Sequence, residues 1–336
     1  MIYLVCFLVS FILLVYIFTY EQNIDIDSVC FILADIVGNG GYLALAYSKN
    51  LEEAILANKI TYVIGIFVPM IVFFLVCNVC RVKIPSILRF VMYSVQVAIF
   101  LSVCTIGEST IYYKTVEFHM VGGIGYLTKT YGPMHTVYLI TLYFYTLLGI
   151  IIGLRALTKS TVVSRINVDM VLSADVMVVC TYLIERLVKL NFDVVPVVYT
   201  VAVVMIIIPV IKTYNYSTYY NPSIYDDVIS ENACMIFNNK LQFMGCNEKA
   251  YLLFPELSEW QLEVDIPGNG GRFNTFLRQP LLNYSANKNS LDPVEKSFEY
   301  KEANYRYKIL TLFSKRNKSM GYVIRVMDVT DIIKEN

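Results

Sequence analysis

The residues of this chain that could do chemistry are acids and amides placed inside long apolar runs. Asp35 and Asn39 lie four residues apart in one run, so a helix would present both on the same face. Asp175 and Glu185 interrupt a later apolar run. Polar groups in apolar segments are costly, and they therefore face a partner or a cavity. Two interpretations stay open: hydrogen bonds that fix one helix against another, or a polar pocket that binds a ligand.

Two further ionisable residues lie at the ends of the apolar runs that flank the longest polar connection. Glu108 follows one run, and His135 begins the next one, shortly after Tyr131. If these ends meet the helix face that carries Asp35 and Asn39, they complete a pocket that is open to the outside. The predicted ligand-binding residues are Asp35, Asn39, Glu108, Tyr131 and His135.

Other familiar chemistries lack the residues that they need. The eight cysteines lie mostly in apolar runs, and the C-x-x-C pair Cys77 and Cys80 ends such a run, where small apolar filler is the simpler interpretation. The glycine-rich stretch PGNGGRF, Pro267–Phe273, matches no phosphate-binding fingerprint, and no P-loop is present. The net charge is zero, so we expect no nucleic-acid partner. We predict neither a catalytic residue nor a metal site.

The composition indicates a membrane part followed by a soluble part. Hydrophobic residues make up 57% of the 336 residues and charged residues 16%. Long uncharged runs continue to about Lys212, and beyond it polar residues return. A run of about 20 apolar residues can cross a bilayer. Seven runs fit that length: Ile2–Tyr20, Ser28–Tyr47, Ile60–Cys80, Ser86–Ile106, Met134–Leu157, Asp169–Leu190 and Val194–Lys212.

The positions of Lys and Arg at the span ends favour an N-terminus outside the cell. In that orientation the inner ends carry Arg81, Lys83, Arg89, Arg155, Lys159, Arg165 and Lys212, and the outer ends carry Lys49, Lys59, Lys114, Lys129, Arg186 and Lys189. The inner residues crowd into two short connections, where positive charge sets orientation most strongly. We therefore expect a multi-pass protein of the plasma membrane with a cytoplasmic C-terminal part.

The longest connection between the predicted spans, Gly107–Pro133, contains two alternating runs around Gly122 and Gly123. This pattern is typical of a β-hairpin, and we predict that the hairpin caps the bundle. Its aromatic residues suit either an interfacial belt or a lid that recognises a ligand. A second glycine patch, Gly38–Gly41, would allow its helix to approach a neighbour closely.

The soluble part begins after residues 213–228, which lack periodicity and are predicted to form a linker. Ala233–Phe237 and Leu241–Cys246 are predicted strands around an Asn-Asn turn, and a short helix begins near Asn247. Near the C-terminus, KSFEYKEANYRYKILTLF and GYVIRVMDV alternate as strands do. Two strands, short helices and three further strands make a small α+β sheet domain.

This order of elements resembles a PAS domain over residues 229–336. MIFNNKLQFMGCNEKAYLLFPEL is similar to the opening hairpin and helix of that family, with Asn247 at the family's usual Asn position. GYVIRVMDVTDIIKEN is similar to its final strand, with the Asp-x-Thr signature at Asp328 and Thr330. In the family this signature leads into a signalling helix, here expected to start near Asp331. The resemblance implies signal relay through Asn247, Asp328 and Thr330.

The membrane part resembles a second family. Gly41–Cys77 and Tyr131–Leu157 are similar to the seven-transmembrane region found at the N-termini of bacterial histidine kinases and diguanylate cyclases. The two resemblances together imply an α-helical membrane bundle followed by a small α+β PAS-like domain. The implied boundaries are a sensor region at 1–212, a linker at 213–228 and a PAS-like domain at 229–336.

These resemblances imply a bacterial signal receptor and not an enzyme. The two histidines, His119 and His135, lie in the membrane part, so the phosphoacceptor histidine of a kinase is missing, as is the GGDEF signature of a cyclase. The soluble part has no histidine for haem and no flavin-adduct motif, so we expect no cofactor. Its PAS-like domain would hold a small apolar ligand or act purely as a relay.

The two family resemblances also imply the partners of this protein. They are the lipid membrane, an extracellular or membrane ligand, and a second copy joined through the PAS-like domain and the outgoing helix. A kinase or cyclase output would come from a separate protein or from a longer product. The alternative is a transporter or channel with a regulatory PAS-like domain, in which Asp35, Asp175 and Glu185 would be ion or proton sites. The span pattern contains no internal repeat that would favour transport.

Overall fold

The computed structural model describes residues 2–20, 25–158, 163–188, 193–216, 232–268, 271–286, 293–313 and 319–330. The chain divides into two compact units, the first drawn from residues up to 210 and the second chiefly from residues 211–336. The first unit is a helical bundle with one β-hairpin, and the second is built on a five-stranded sheet.

Seven helices in the described part of the chain are long and apolar enough to cross a membrane, which confirms the predicted spans. Many of their large apolar side chains are exposed, as expected of helices that face lipid. The helices are α1 (Ile2–Tyr20), α2 (Ile26–Tyr47), α3 (Leu51–Val79), α4 (Ser86–Cys104), α5 (Pro133–Leu157), α6 (Arg165–Val188) and α7 (Val195–Asn215).

Helix α3 begins nine residues before the predicted span at Ile60. The Asn50 side chain accepts the backbone N–H of Glu53 at 2.9 Å, and the first turn carries Glu52 and Glu53, which suit the positive end of a helix dipole. Hydropathy marks the apolar length of a helix, whereas these polar residues mark where it starts. The span and the helix therefore have different boundaries.

Helices α2 and α3 approach closely at the predicted glycine patch. A Cβ added to Gly38 would lie 2.6 Å from Ile64 Cβ, and one added to Gly41 would lie 2.8 Å from the backbone nitrogen of Thr61. Both distances are too short for carbon, so the contact needs glycine at these positions. The predicted close approach at Gly38–Gly41 is confirmed.

The predicted hairpin between α4 and α5 is also confirmed. Strands β1 (Tyr113–Val121) and β2 (Ile124–Tyr131) pair antiparallel, with Val121 opposite Ile124. The two turn residues, Gly122 and Gly123, have φ values of +58° and +82°. Positive φ at both central positions is the pattern of a type I′ turn, which glycine adopts without strain.

The second unit contains a five-stranded antiparallel sheet in the order β4-β3-β7-β6-β5. Two strands, short helices and three strands follow one another, as the sequence predicts. The strands are β3 (Ala233–Asn238), β4 (Phe243–Cys246), β5 (Val294–Tyr300), β6 (Ala303–Phe313) and β7 (Ser319–Asp328), and the helices are α8 (Glu248–Leu253), a 3₁₀ turn (Pro255–Glu259) and α9 (Gly271–Ala286).

One face of this sheet is covered by α8 and α9 and carries the main core. Aromatic rings dominate it: Trp260 lies edge-on to Phe243 with ring centroids 5.2 Å apart, and Phe254 stacks on Phe273 at 4.6 Å. The opposite face carries a smaller apolar cluster, against which Tyr216 packs. Successive residues of a strand point to opposite faces of the sheet, so the strands contribute to a large apolar cluster on one face and a small one on the other.

Two predicted segments fall largely or wholly outside the described residues. Of the predicted linker 213–228, only residues up to 216 are described, and α7 continues through Asn215. The helix expected near Asp331 lies outside the described residues.

Candidate functional site

Tyr131 and His135 lie in contact at the hairpin end of the bundle. Their rings stack with centroids 3.7 Å apart and planes 22° apart. His135 is almost fully buried, and the rings of Tyr112 and Tyr138 stand near its edges at 5.7 and 5.5 Å. The backbone fixes this contact, because the N–H of Gly132 donates to the Tyr112 carbonyl at 2.8 Å just before α5 begins.

A polar network next to this cluster fastens the hairpin to α3. Lys129 Nζ donates to Asn58 Oδ1 at 3.2 Å, and Asn58 Nδ2 donates to the Tyr113 hydroxyl at 3.2 Å. The Tyr113 and Tyr62 hydroxyls are hydrogen-bonded at 2.8 Å. The Lys129 ammonium also lies 5.4 Å from the centre of the Tyr113 ring, within the range of a cation–π contact. Lys129 and Tyr113 lie on the two strands of the hairpin, and Asn58 and Tyr62 lie on α3, so these contacts connect the hairpin to the helix.

Asp35 and Asn39 share one face of α2 and are both fully buried. Asp35 accepts a hydrogen bond from the Ser10 hydroxyl of α1. Asn39 Nδ2 donates to Thr200 Oγ1 of α7 at 3.1 Å. These are hydrogen bonds between helices, the first of the two interpretations of this pair.

Glu108 lies elsewhere, exposed in the turn after α4. Its backbone N–H donates to the Thr105 carbonyl at 3.0 Å. The structure therefore brings Tyr131 and His135 together and places Asp35 and Asn39 on one face, but the contacts of the described residues do not join all five. Their role in ligand binding stays a prediction.

The other two acids of the bundle have contacts of their own. Glu185 accepts the backbone N–H groups of Val194 and Val195, the latter at 2.9 Å, where α7 begins. Asp175 lies beside a cavity of about 20 Å³ between α2, α3, α5, α6 and α7, and the Thr146 hydroxyl donates to the Asp175 carboxylate at 3.5 Å. That volume holds about one water molecule. Capping of a helix start accounts for Glu185 without a transport role.

A cluster that the sequence analysis did not identify lies at the end of the bundle opposite the hairpin. Arg89 Nη1 of α4 donates to both carboxylate oxygens of Asp27, at 3.2 and 3.0 Å. Asn78 Nδ2 of α3 donates to Asp25 Oδ2 at 3.0 Å and to Asp27 Oδ2 at 3.3 Å. The cluster ties α2, α3 and α4 together. One residue of this cluster could have been noticed in the sequence. Asp25 stands just before an apolar run, as a helix-capping residue does, and it caps α2 by accepting the Ser28 N–H.

Side-chain hydrogen bonds close the Asp-x-Thr turn at the end of β7. Asp328 Oδ1 accepts the Thr330 N–H at 2.9 Å and the Thr330 hydroxyl at 2.6 Å. The Thr330 hydroxyl in turn accepts the backbone N–H of Asn304 at 2.9 Å, and the Val329 N–H donates to the Asn304 carbonyl at 2.8 Å. Asn304 is the second residue of β6, so hydrogen bonds attach the turn to the neighbouring hairpin. The sequence did not reveal this partner.

Asn247 joins three segments of the second unit. Its Oδ1 accepts the N–H of Ala250 at 3.0 Å, which caps α8, and the N–H of Cys234 at 2.9 Å. Its Nδ2 donates to the Asn232 carbonyl at 2.9 Å. One amide therefore holds the start of β3 to the end of β4 and the beginning of α8.

Comparison with known proteins decides the family. The family described as the N-terminal 7TM region of histidine kinase matches residues 2–215. The chain belongs to this family. As a member of this seven-helix histidine kinase family, it is a multi-pass membrane protein and a membrane signal receptor.

Among solved structures, the PAS domain of histidine kinase ThkA is similar, with 15% sequence identity and a TM-score of 0.23, over 29% of this chain and 98% of that one. None of the curated proteins matches this chain.

Proposed function

We propose that the seven-helix bundle detects an extracellular or membrane stimulus and that α7 transmits it to the PAS-like domain. The observation that carries this proposal is the continuity of α7. Thr200 of this helix bonds to Asn39 inside the bundle, while Lys212, about three turns later, belongs to the second unit. A single helix therefore contributes residues to both units, and a change at one end can reach the other.

Lys212 gives α7 a direct contact with the edge of the PAS-like sheet. Its Nζ lies 2.6 Å from Glu263 Oε2, and the Glu263 side chain is only 8% exposed. Glu263 holds a left-handed backbone conformation, with φ of +66°, and its N–H donates to the Phe243 carbonyl of β4 at 2.7 Å. A shift of the Lys212 ammonium therefore acts on a buried carboxylate whose own backbone is bonded to the sheet.

Tyr216, just beyond α7, makes a second contact with the same sheet. Its hydroxyl donates to the Met320 carbonyl at 2.7 Å, and its ring packs against the smaller apolar face. Met320 lies at the start of β7, and β7 ends at Asp328 in the Asp-x-Thr turn. Contacts thus run from the residue that follows α7 along β7 to Thr330, and packed and hydrogen-bonded contacts of this kind can carry coupling between elements.

The proposal also covers the partners and the output. A kinase or diguanylate cyclase module outside residues 1–336 would supply the chemistry, and residues 1–336 would relay without a catalytic step. A second copy would pair through the PAS-like domain and through the outgoing helix that the sequence predicts beyond it. No cofactor and no nucleic acid takes part. The aromatic filling of the main core supports relay over ligand binding for this domain.

The orientation proposed here has the N-terminus outside and the PAS-like domain in the cytoplasm. Its support is the set of Lys and Arg residues at the inner span ends. A reporter enzyme fused after Lys212 should report a cytoplasmic location. An extracytoplasmic signal from that fusion would overturn both the orientation and the intracellular relay.

The relay can be tested with a charge exchange. A cyclase reporter is joined in frame after Asn336, and its output per amount of membrane protein is measured for Lys212→Glu, Glu263→Lys and the double exchange. Each single change places two like charges together beside a buried group, so we expect reporter output to change. The double exchange should return it towards the original level, because the pair is restored.

Lys240→Glu is the matched control, because Lys240 is an exposed lysine of the same unit. This change should leave reporter output unaltered. Unchanged output in both single variants at equal protein amounts would show that the Lys212–Glu263 contact carries no signal. An equal effect of Lys240→Glu would show that output follows net charge and not this contact.

A further inference from the structure

A cavity of about 500 Å³ lies at the hairpin end of the bundle, between the start of α1, the end of α2 and strand β2. Small-molecule sites usually measure about 300–1,000 Å³. Tyr3, Tyr42, Tyr47 and Tyr126 contribute aromatic walls, and the remaining surface is largely aliphatic residues and glycine. None of the five residues predicted to bind ligand lines this cavity. Its size and its apolar walls with few polar groups are those of a ligand site.

Two residues of opposite charge line the same cavity. One is Lys129 of β2, and the other is Asp193, just before α7. The main chain of Asp193 is fixed, because the Tyr3 hydroxyl donates to its carbonyl at 3.1 Å and accepts its N–H at 3.2 Å. Among the described residues the salt bridges do not include one between Lys129 and Asp193. The cavity thus offers one cationic and one anionic group that do not form a salt bridge with each other.

Lys129 is held in a charged state. Burial alone would lower the pKa of its ammonium, but the hydroxyls of Tyr113 and Tyr131 and the carboxylate of Asp193 together raise its pKa above the ordinary lysine value. A ligand with only a negative group would be repelled by Asp193, and one with only a positive group by Lys129. A ligand that carries both a negative and a positive group can pair with Lys129 and with Asp193.

We propose that this cavity binds a free α-amino acid with an apolar side chain, whose carboxylate meets Lys129 and whose ammonium meets Asp193. The tyrosine and aliphatic walls receive the apolar side chain. The headgroup of phosphatidylethanolamine presents the same pair of charges, as a phosphate and an ammonium. We favour the free amino acid because the cavity is bounded by the capping hairpin as well as by the helices.

Occupancy of the cavity can reach the bundle through Lys129. Its ammonium lines the cavity and also donates to Asn58 of α3, which bonds to Tyr113. A carboxylate that draws the ammonium towards the cavity competes with Asn58 for the same donor. The cavity would give the proposed receptor its ligand, and in this respect the inference rests on that function.

Direct binding tests the proposal. The full chain is placed in nanodiscs of phosphatidylglycerol, which has no ammonium group, and the apolar L-amino acids are titrated by calorimetry. At least one should bind. Its carboxamide and its N-acetyl derivative each lack one charge, and each should bind about tenfold or more weakly.

Variants of the chain show which residue recognises the carboxylate of the ligand and which recognises its ammonium. In Lys129→Met the preference for the amino acid over its carboxamide should disappear, and in Asp193→Asn the preference over the N-acetyl derivative should disappear. Lys114→Met and Asp169→Asn are the controls, because both residues are exposed and neither lines the cavity. Both controls should keep both preferences. If Lys129→Met lowers the amount of folded protein, Asp193→Asn still tests the proposal, because the N-acetyl derivative reports recognition of the ammonium by Asp193.

Three results would overturn the proposal. Failure of every apolar amino acid to bind excludes this ligand class. Equal binding of the amino acid and its two derivatives excludes recognition by the two charges. Stabilisation by nanodiscs that contain phosphatidylethanolamine, lost in Asp193→Asn, with no amino acid bound, would assign the cavity to a lipid headgroup.

A different measurement tests whether the bound ligand produces a signal. Binding is measured here without any output module, so a failure of binding leaves the relay through α7 intact as a proposal. A chain that binds the amino acid but whose cyclase reporter does not respond to it would refute the proposed relay of this ligand's signal and leave the binding site standing.

Discussion

Replacing Gly41 by alanine should loosen the contact between α2 and α3, whereas the same change one residue earlier should not. A Cβ at position 41 would lie 2.8 Å from the backbone nitrogen of Thr61, and a backbone atom cannot rotate away. A Cβ at Gly40 would meet only the Phe7 ring at 3.7 Å, which is ordinary contact. The two glycines share a helix and differ only in what faces them.

The magnitude follows from two opposing effects. Alanine in place of glycine favours a helix interior by about 1 kcal/mol at either position. Overpacking against a fixed neighbour costs about 1–3 kcal/mol and applies only at Gly41. The helix preference cancels when the two variants are compared. Gly41→Ala should therefore be less stable than Gly40→Ala by about 1–3 kcal/mol.

Reversible unfolding in mixed micelles, followed by circular dichroism as the fraction of denaturing detergent rises, measures this difference. Gly40→Ala should match or exceed the stability of the unmodified chain. If Gly41→Ala and Gly40→Ala unfold at the same detergent fraction, α2 does not pack against the Thr61 backbone, and the reasoning from glycine spacing fails for this bundle.

Three other predictions concern the remaining contacts. Arg89→Met leaves the Asp27 carboxylate buried without its cation and should cost about 3–5 kcal/mol in the same unfolding assay, most of which Asp27→Asn should restore; no loss would mean that Arg89 is already solvated. Thr330→Val removes the acceptor of the Asn304 N–H, so that amide hydrogen should exchange faster by a factor that corresponds to about 1 kcal/mol, and unaltered exchange would contradict the pinned turn. Burial raises the pKa of the Cys234 thiol to about 11, so maleimide should label it at pH 8 only when the second unit unfolds. Rapid labelling of the folded chain would refute this burial.

The architecture was predictable because it follows from local patterns. Apolar length marks a span, and two adjacent glycines between alternating runs mark a type I′ hairpin. The Asp-x-Thr turn was predictable for the same reason, since Asp328 and Thr330 bond to each other two residues apart. Helix starts were less predictable, because Asn50 and its following acids extend α3 beyond its apolar part.

The partners of the polar residues were not predictable from spacing. Asp35 bonds to Ser10 and Asn39 to Thr200, residues that are 25 and 161 positions away in the chain. Glu185 caps the start of the next helix, although its sequence position suggested an intramembrane acid. A helix pattern states which side chains share a face, but it does not state which helix that face meets.

The sequence by itself determined the seven spans, the capping hairpin, the glycine contact surface and the succession of strands and helices along the chain of the second unit. These features depend on residues close together in the chain, whose periodicity and turn chemistry act locally. Only the tertiary structure decided that Lys129 and Asp193 line one cavity and that Lys212 meets Glu263. Such contacts join residues more than 50 positions apart, and they exist only after the helices and strands have packed.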